Sequence, residues 1–414
     1  MTDAYAKPAT RDAGLAALQR FLPGAGRQYA RSRNFDYGPE RRDNVSMLSP
    51  FVRHRLVLEE DLLRGVIRAH GFGEAQKYIE EVYWRTYFKG WLEHHPDVWT
   101  NYLEELAELV AELESNCEKR ERYNQAIAGQ TGIDCFDAWT QELAETGYLH
   151  NHARMWFASI WVYTLDLPWQ LGADFFLRHL LDGDPASNTL GWRWVCGLHT
   201  RGKTYLARVS NIANFTNYRF NPRGLLATEA PPRSEDAVVR RVVVPAADAM
   251  PDSDFGLLVT EDDASPERAL VTRAPVAALG LTATNDRSVL PVTPLVYDFA
   301  SDAVDDALDR VREHFACPVE AGGDRDWGET VRAWCERHSL SAVLTPWVPV
   351  GPARSRLDAL EATLGGDGIC LYRVRRQYDE DAWPFAGRGY FKLKRQIPEL
   401  VERLGLETAL LKTG

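Results

Sequence analysis

The segment NVSMLSPF, residues 44–51, is rich in small and hydroxyl-bearing side chains and could bind phosphate. Pro50 suits the first turn of a helix, because the missing proline N–H would have no partner there. Free backbone N–H groups at such a helix start, together with the hydroxyls of Ser46 and Ser49, can hold a phosphate group. Most segments of this kind are simple helix caps, and that alternative stays open on this segment alone.

A second segment, YIEEVYWRTYF at 78–88, mixes charges with aromatic rings. At helical spacing, Tyr78, Glu81, Trp84, Arg85 and Phe88 share one face. A face that carries an acid, a base and three rings is a poor hydrophobic stripe and suits the wall of a binding site. The competing interpretation is an amphipathic helix with a Glu81–Arg85 surface ion pair.

A third region, 131–194, holds polar groups that could recognise a ring. On a helix, Asn151, Arg154 and Met155 would share a face. The loop DGD at 182–184 is by itself a common turn or helix cap. An Arg154–Asp182 pair beside the amide of Asn188 could instead recognise a heteroaromatic ring that bears N–H and C=O groups.

The elements that must position these residues are predicted to be helices in the first part of the chain. Apolar residues recur at helical spacing in six segments, which are 56–70, 74–94, 99–121, 135–145, 150–164 and 169–181. The Pro-rich, charged stretch 227–236 is the best candidate for a linker. After it, apolar runs (242–244, 256–260, 269–272, 294–297, 342–345, 369–374) alternate with helical patterns at 302–315, 327–338 and 352–364. This alternation predicts a parallel α/β sheet.

Composition excludes several classes of protein. The formal net charge is −11 over 414 residues and is concentrated after residue 230, so a basic coat for nucleic acid over the whole surface is excluded. A local basic rim is not excluded, and the candidates for it are Arg53, Arg55, Arg193, Arg201, Lys203 and Arg208. No apolar stretch is long enough to span a membrane, and the N-terminus does not resemble a secretory signal. The six cysteines form no CxxC pair, which predicts reduced thiols in a cytoplasmic protein without a metal cluster. Nine of the 13 tryptophans lie between Trp84 and Trp194, a density suited to stacking on a flat ligand or to passing electrons.

The stretch GLHTRGKT at 197–204 fits the phosphate-cradling pattern G-x-x-x-x-G-K-[ST]. That chemistry needs a buried strand before the loop and a helix after it. Here the preceding Trp192 and Trp194 lie in the helical part of the chain. We therefore interpret the stretch as a loop whose Lys203 is solvated.

Together, these segments resemble the FAD-binding domain of the photolyase/cryptochrome family. The family pattern T-S-x-L-S-P is similar to Val45–Pro50, W-R-E-F-Y to Trp84–Phe88, and T-G-[YW]-x-H-N-x-x-R-M to Thr146–Met155. The pattern D-G-D-x-x-x-N-x-x-x-W-x-W corresponds to Asp182–Trp194. The resemblance covers about residues 30–222, close to half of the chain.

The resemblance implies a non-covalent FAD folded into a U, with adenine close to the isoalloxazine ring. The segment 45–49 would line the phosphates, and Arg85 would neutralise the negative charge of the diphosphate. Arg154 would pair with Asp182 beneath the flavin ring, and Asn188 would face flavin N5. The cofactor-binding residues that it implies are Tyr37, Val45, Ser46, Met47, Leu48, Ser49, Tyr78, Arg85, Tyr148, Asn151, Arg154, Asp182, Gly183, Asp184 and Asn188.

The resemblance also implies a substrate, which is damaged DNA. A pyrimidine dimer flipped out of the duplex would be surrounded by Glu81, Trp84, Met155 and Trp194. Catalytic roles would fall to Glu81 and Asn188. Trp192, near the flavin, and Trp169, in the middle position, would relay electrons that reduce it.

Three departures from the family pattern affect these implications. Val45 lacks the hydroxyl of the family threonine, and His152 replaces a usual arginine, which would weaken a contact with DNA phosphate. The outermost relay tryptophan falls on Asn116. Tyr163 or Trp161 could substitute for it, and spacing does not choose between them.

The predicted fold is an all-helical photolyase-type FAD-binding domain at 1–228, a linker at 229–236 and a parallel-sheet, Rossmann-like α/β domain at 237–414. The second domain resembles the family's antenna domain, which in the family lies at the N-terminus. The alternative is an unrelated α/β domain that packs on the flavin domain. Whether it binds a second chromophore cannot be read from the residues.

Three functions compete. The first is light-driven splitting of pyrimidine dimers by electron transfer from reduced FAD, and the substrate residues favour it. The second is a cryptochrome-like blue-light receptor without repair activity. The third is a flavoprotein acting on a small or single-stranded substrate, which the acidic charge favours. We expect a cytoplasmic monomer without a membrane partner.

Overall fold

The computed structural model describes residues 8–235 and 238–406. Residues 8–235 are helical, without strands in the described part. The helices are α1 Arg11–Phe21, α2 Arg27–Ser32, α3 Ser49–Arg53, α4 Glu59–His94, α5 Asp97–Ser115, α6 Cys117–Ile127, α7 Asp134–Thr146, α8 Asn151–Ser159, α9 Trp169–His179, α10 Pro185–Val195 and α11 Val209–Phe215.

All six helical segments predicted from periodicity are helical in the structure, and two of the differences have clear causes. The predicted gap between 70 and 74 falls on a kink inside α4, where Gly71 takes a φ of 73°, a conformation that suits glycine. The predicted helix 99–121 is divided at Asn116, which caps the N-terminus of α6. Helix α10 was not among the predicted segments, because its start is set by the cap of Asp184 and by Pro185 rather than by an apolar period.

The second half contains a five-stranded parallel sheet in the order β3-β2-β1-β4-β5. Helices cross over between three of the four consecutive strand pairs, as in doubly wound α/β folds, whereas residues 261–277, between the first and second strands, contain no helix. The strands are β1 Gly256–Thr260, β2 Ala278–Leu281, β3 Val319–Gly323, β4 Ala342–Pro346 and β5 Cys370–Val374, and the helices are α12 Pro294–Phe315, α13 Trp327–His338 and α14 Pro352–Gly366. The predicted fold class, helical followed by parallel α/β, is confirmed.

The strand predictions were partly wrong. The apolar runs 242–244 and 269–272 are not strands, and 294–297 begins α12. Strands β2 and β3 were missed, because ALGL is short and lacks β-branched residues and VEAGG ends in two glycines. The domain boundaries stay a prediction, and the charged segment 229–235 lacks helix and strand where it is described.

A C-terminal segment returns to the long helix α4 after the sheet. It consists of α15 Gln377–Ala382, α16 Tyr390–Lys394 and α17 Ile397–Arg403, and all three pack against α4. The Tyr378 hydroxyl lies 2.7 Å from the hydroxyl of Thr86. A side chain at Gly90 would collide with Trp383, so this glycine permits the close approach of the segment. Helix α4 is therefore supported from the outside by the end of the chain.

Buried ion pairs join α3 and the residues after it to the α/β half. Arg55 Nη2 lies 2.6 Å from Asp379, and the same guanidinium lies within 3.4 Å of Glu59 and Asp263. Although burial alone would lower the pKa of Arg55, the surrounding carboxylates raise it well above its ordinary value. Arg376 in turn pairs with Asp263 at 2.6 Å. The buried charges of Arg55 and Asp263 therefore have partners from both halves.

None of the described helices is both long and apolar enough to cross a membrane. The six cysteines are unpaired, with Cys135, Cys196, Cys317 and Cys335 buried.

We expect Arg55→Ala to lower the free energy of unfolding by about 3–5 kcal/mol, because it leaves buried carboxylates without a partner. Urea unfolding followed by circular dichroism measures this change. Arg27→Ala, which removes an exposed pair with Glu74, is the control and should not move the midpoint. An Arg55→Ala midpoint equal to that of the wild type would contradict this view of the junction.

Candidate functional site

A cavity of about 670 Å³ lies between α4, α8, α10 and the segment 45–49. Of the residues predicted for the site, those that line it are Val45, Ser46, Met47, Leu48, Ser49, Tyr78, Glu81, Trp84, Arg85, Tyr148, Asn151, Arg154, Met155, Asp182, Gly183, Asp184, Asn188, Trp192 and Trp194. Segments far apart in the chain thus meet at one place. Tyr37 and Trp169 are not part of this wall.

The segment 45–49 and Arg85 form one end of the cavity. Met47 takes a φ of 53°, which turns the backbone sharply just before α3 and leaves Ser46 and Ser49 on the wall. Arg85 also lines the cavity, and its Nη1 is buried without a hydrogen-bond partner in the described structure. A buried guanidinium N–H without a partner favours a bound anion, so this end fits the diphosphate of FAD.

Arg154 and Asp182 form the predicted pair across the cavity. Arg154 Nη2 lies 3.0 Å from Asp182 Oδ2, and its Nε donates to the Leu149 carbonyl at 2.8 Å. Burial would raise the pKa of Asp182, but Arg154 and Arg85 lower it below its ordinary value. The carboxylate is therefore charged at neutral pH and orients a guanidinium that is still partly open to the cavity.

Asp184 acts chiefly on α10. Its carboxylate accepts hydrogen bonds from the Ser187 N–H at 2.9 Å and the Ser187 hydroxyl at 2.6 Å, and so caps the helix. Although burial alone would raise its pKa, the charges of Lys89, Arg53 and Arg85 hold it at about 2. This charge fixes the start of the helix that carries three of the predicted site residues.

Asn188 presents a defined end of its amide to the cavity. Its Nδ2 donates to the Ala173 carbonyl at 2.7 Å, so the amide orientation is set by this bond. The carbonyl oxygen is left for a ligand group that donates. A neutral amide in this position cannot supply a proton.

The substrate residues implied by the resemblance, Glu81, Trp84, Met155 and Trp194, also line the cavity. The alternative Glu81–Arg85 surface pair is wrong, because Glu81 Oε1 instead lies 2.9 Å from Arg33 and 3.3 Å from Lys77. Trp84 is half-buried, with one ring face toward a C-terminal tyrosine.

The predicted relay tryptophans lie in one aromatic core. Trp192 is buried on the cavity wall, and its ring centroid is 6.2 Å from that of Trp161. Trp169 stacks on Tyr102 with centroids 5.7 Å apart, and Tyr102 is 5.3 Å from Trp99.

Asn116 caps α6 and is not aromatic, so it offers no relay step. The spacing of Trp99 and Tyr102 on α5 is the sequence signal for this second aromatic pair, which our sequence reasoning missed. The assignment of an outermost relay residue stays a prediction.

Tyr37 is the one predicted cofactor residue that the structure does not bring to the cavity. Its ring stacks on Phe35 with centroids 5.5 Å apart, and Arg41 lies over the same ring. Conversely, the wall includes Tyr29 and Arg33, which belong to none of the quoted motifs and were missed.

The two histidines that line the cavity, His150 and His152, carry no positive charge at neutral pH. Burial lowers the pKa of His150 to about 3 and also lowers that of His152. The His152 ring stacks on Trp156, with centroids 4.2 Å apart, and its Nδ1 lies 2.9 Å from the Asn34 carbonyl. His152 therefore does not replace the charge of the family arginine.

Half of the basic residues that could form a rim for DNA are unavailable. Arg53, Arg55 and Arg193 are buried in ion pairs. Three others are exposed, namely Arg201, Lys203 and Arg208. The first two belong to the loop 197–204, which follows helix α10 rather than a strand, so the rejection of a phosphate-cradling loop is confirmed.

Residues 78–230 match the family model of the FAD binding domain of DNA photolyase. The deoxyribodipyrimidine photo-lyase of Thermus thermophilus is 34% identical over 213 residues, which cover 51% of this chain and 48% of the relative. That of Vibrio cholerae is 27% identical over 206 residues, 48% of this chain and 43% of the relative. The chain thus spans just under half the length of these curated relatives.

Two solved structures show partial similarity. A class III photolyase from Agrobacterium tumefaciens is 23% identical with a TM-score of 0.43, and a cryptochrome from Synechocystis is 22% identical with the same TM-score. Each comparison covers 50% of this chain and 43% of the other. The family match includes the second half of α4 and the whole of α8 and α10, which line the cavity. Residues 78–230 of the helical part are therefore similar to the FAD-binding domain of DNA photolyases.

Proposed function

We propose that this chain is a FAD-dependent, light-driven DNA repair protein that splits pyrimidine dimers. One observation carries the proposal: a single cavity joins a wall that fits FAD to Glu81, Trp84, Met155 and Trp194. Bound reduced FAD would supply the light-driven chemistry, in which one electron is lent to the dimer and returned once its cyclobutane ring has opened. The residues of this chain bind and orient the two reactants.

The cofactor end of the cavity has a distinct set of tasks. Arg85 and the backbone of 45–49 bind the diphosphate, and Arg154 is held in place by Asp182 at 3.0 Å. The Asn188 carbonyl oxygen, whose orientation is set by the Nδ2 bond to Ala173, would accept a hydrogen bond from the flavin. Because this amide supplies no proton, it favours anionic flavin, which is the form that repair uses.

The substrate end combines a stacking surface with a carboxylate. Trp84 offers an aromatic face to a flipped base, an interaction worth about 1–3 kcal/mol per base. Glu81 is held by Arg33 and Lys77 through Oε1, so Oε2 faces the substrate and accepts from a thymine imide N–H. Flipping brings the lesion out of the duplex and into this end of the cavity.

The sparse basic rim favours a single-stranded substrate as the second candidate. Affinity for duplex DNA depends on phosphate contacts, and only part of the expected basic set is exposed. A dimer in a single strand also needs no unpairing before it enters the cavity.

The remaining alternative is a blue-light receptor. It would use the same flavin and relay residues but would not convert a substrate. Illuminating the reduced protein with dimer-containing single- and double-stranded DNA, and assaying for restored thymines, separates these functions.

We expect the purified protein to carry FAD, and Arg154→Ala to lose it. Removal of Arg154 leaves the buried Asp182 carboxylate without its partner, at a cost of about 3–5 kcal/mol. Flavin absorbance after gel filtration and reconstitution measures occupancy. Arg208→Ala, an exposed change outside the cavity wall, is the control. A colourless wild-type protein that takes up no FAD would refute the cofactor assignment.

Trp192→Phe should slow photoreduction of oxidised FAD strongly, because Trp192 lies on the cavity wall next to the aromatic core. Repair by protein that is already reduced should persist, since the relay only restores the reduced cofactor. Trp334→Phe, a buried change in the α/β half, is the control. Unchanged photoreduction in Trp192→Phe would mean that electrons take another path. Transient absorption after a blue-light pulse measures the rate.

Trp84→Ala should retain FAD and weaken lesion binding by about 1–3 kcal/mol, roughly 5- to 150-fold. Glu81→Ala should reduce repair yield more than binding, because it acts on charge that develops after electron transfer. FAD occupancy, lesion affinity at a stated salt concentration and repair yield are measured for both variants. Wild-type protein without preference for the lesion would support the receptor, and loss of FAD in both variants would show a structural role.

A further inference from the structure

Tyr390, in the C-terminal segment, stacks on Trp84 from outside the cavity. The two ring centroids are 3.6 Å apart and the planes differ by 13°. Trp84 is part of the cavity wall, whereas Tyr390 is not. The tyrosine therefore covers the side of the indole that faces away from the cavity. Tyr390 also lies beyond residues 78–230, the part of the chain that matches the FAD-binding family model.

Tyr390 is itself held firmly. Its hydroxyl donates to the Glu80 carbonyl on α4 at 2.9 Å, and Lys394, one turn further along α16, pairs with the Glu80 carboxylate at 3.0 Å. The ring of Tyr87 meets the tyrosine edge-on, with centroids 5.6 Å apart. The tyrosine is 5% exposed, so no free space is left for its ring to turn away from Trp84.

A fixed indole binds a flat ligand better than a mobile one. The ligand-facing side chain then loses little rotamer freedom on binding, and preorganisation of this kind strengthens affinity without a new ligand contact. Stacked aromatic pairs contribute about 0.5–1.5 kcal/mol beyond the area they bury. The structure places such a pair directly behind the surface on which a base would stack.

We propose that Tyr390 is a positioning residue that holds Trp84 as a rigid stacking platform for the flipped pyrimidine dimer. The C-terminal segment thereby becomes part of the substrate site, although it does not line the cavity. This inference rests on the proposed repair function, because it takes the dimer as the ligand that stacks on Trp84.

The test measures binding in the dark by FAD-loaded, full-length protein. The probes are two oligothymidylates, one with a single cyclobutane dimer and one undamaged. Tyr390→Ala should weaken dimer binding about 2- to 12-fold, the equivalent of one aromatic pair. Tyr390→Leu preserves most of the apolar volume against α4 and should show the same loss of dimer affinity. Tyr390→Phe retains the ring and should bind the dimer as tightly as the wild type. Phe391→Ala removes an exposed neighbouring ring of the same helix and should have no effect.

A double-mutant cycle with Trp84→Ala distinguishes positioning from general loosening. Tyr390→Leu should cause no further loss in the Trp84→Ala background, because its effect passes through the indole. Equal losses in both backgrounds would overturn the inference, as would unchanged or tighter dimer binding by Tyr390→Leu. Loss of FAD by Tyr390→Leu would overturn it too, since the residue would then support the whole domain. If wild-type protein binds both oligonucleotides equally, the proposed function itself fails, and the inference fails with it.

Discussion

The buried guanidinium of Arg53 connects the two halves of the chain at the loop that shapes the cavity. Its Nε donates to the Gly183 carbonyl at 3.0 Å, and its Nη1 lies 2.6 Å from Asp262, after β1. Although burial alone would lower the pKa of Arg53, Asp262 and Asp184 raise it. A buried charge is tolerated only with partners, so the position of the cavity loop and the position of the sheet depend on each other.

The remaining geometry of the site follows from that loop. Asp182 orients Arg154 on α8, and Asp184 caps α10, which carries Asn188 and Trp192 into the cavity. Helix α4 supplies the facing wall. The sheet junction is therefore connected to the cavity wall through hydrogen bonds and helix caps.

The α/β half and the C-terminal segment have a common physical role toward the helical half. The α/β half and the C-terminal segment each pack against the outer faces of helices whose inner faces line the cavity. The contacts include charged and aromatic side chains as well as apolar ones. The Thr86–Tyr378 hydroxyl contact and the Trp84–Tyr390 stack lie on α4 itself. The long helix is thus fixed from behind along the same stretch that presents Glu81, Trp84 and Arg85 to the cavity.

The sequence by itself determined most helices and the set of residues that meet in the cavity. Helical periodicity is a local property, and the motif spacings around Arg154 and Asp182 are preserved in the chain. Strands β2 and β3 were missed because their short or glycine-containing sequences carry little local signal. Only the tertiary structure decided that Arg53 is a buried partner of Asp262 rather than a cation for DNA, and that Tyr390 stacks on Trp84. Such pairings join residues that are distant in the chain. They are stable because a buried charge is offset by an opposite charge and a buried ring is packed against another ring, and no local sequence pattern encodes which residues will meet.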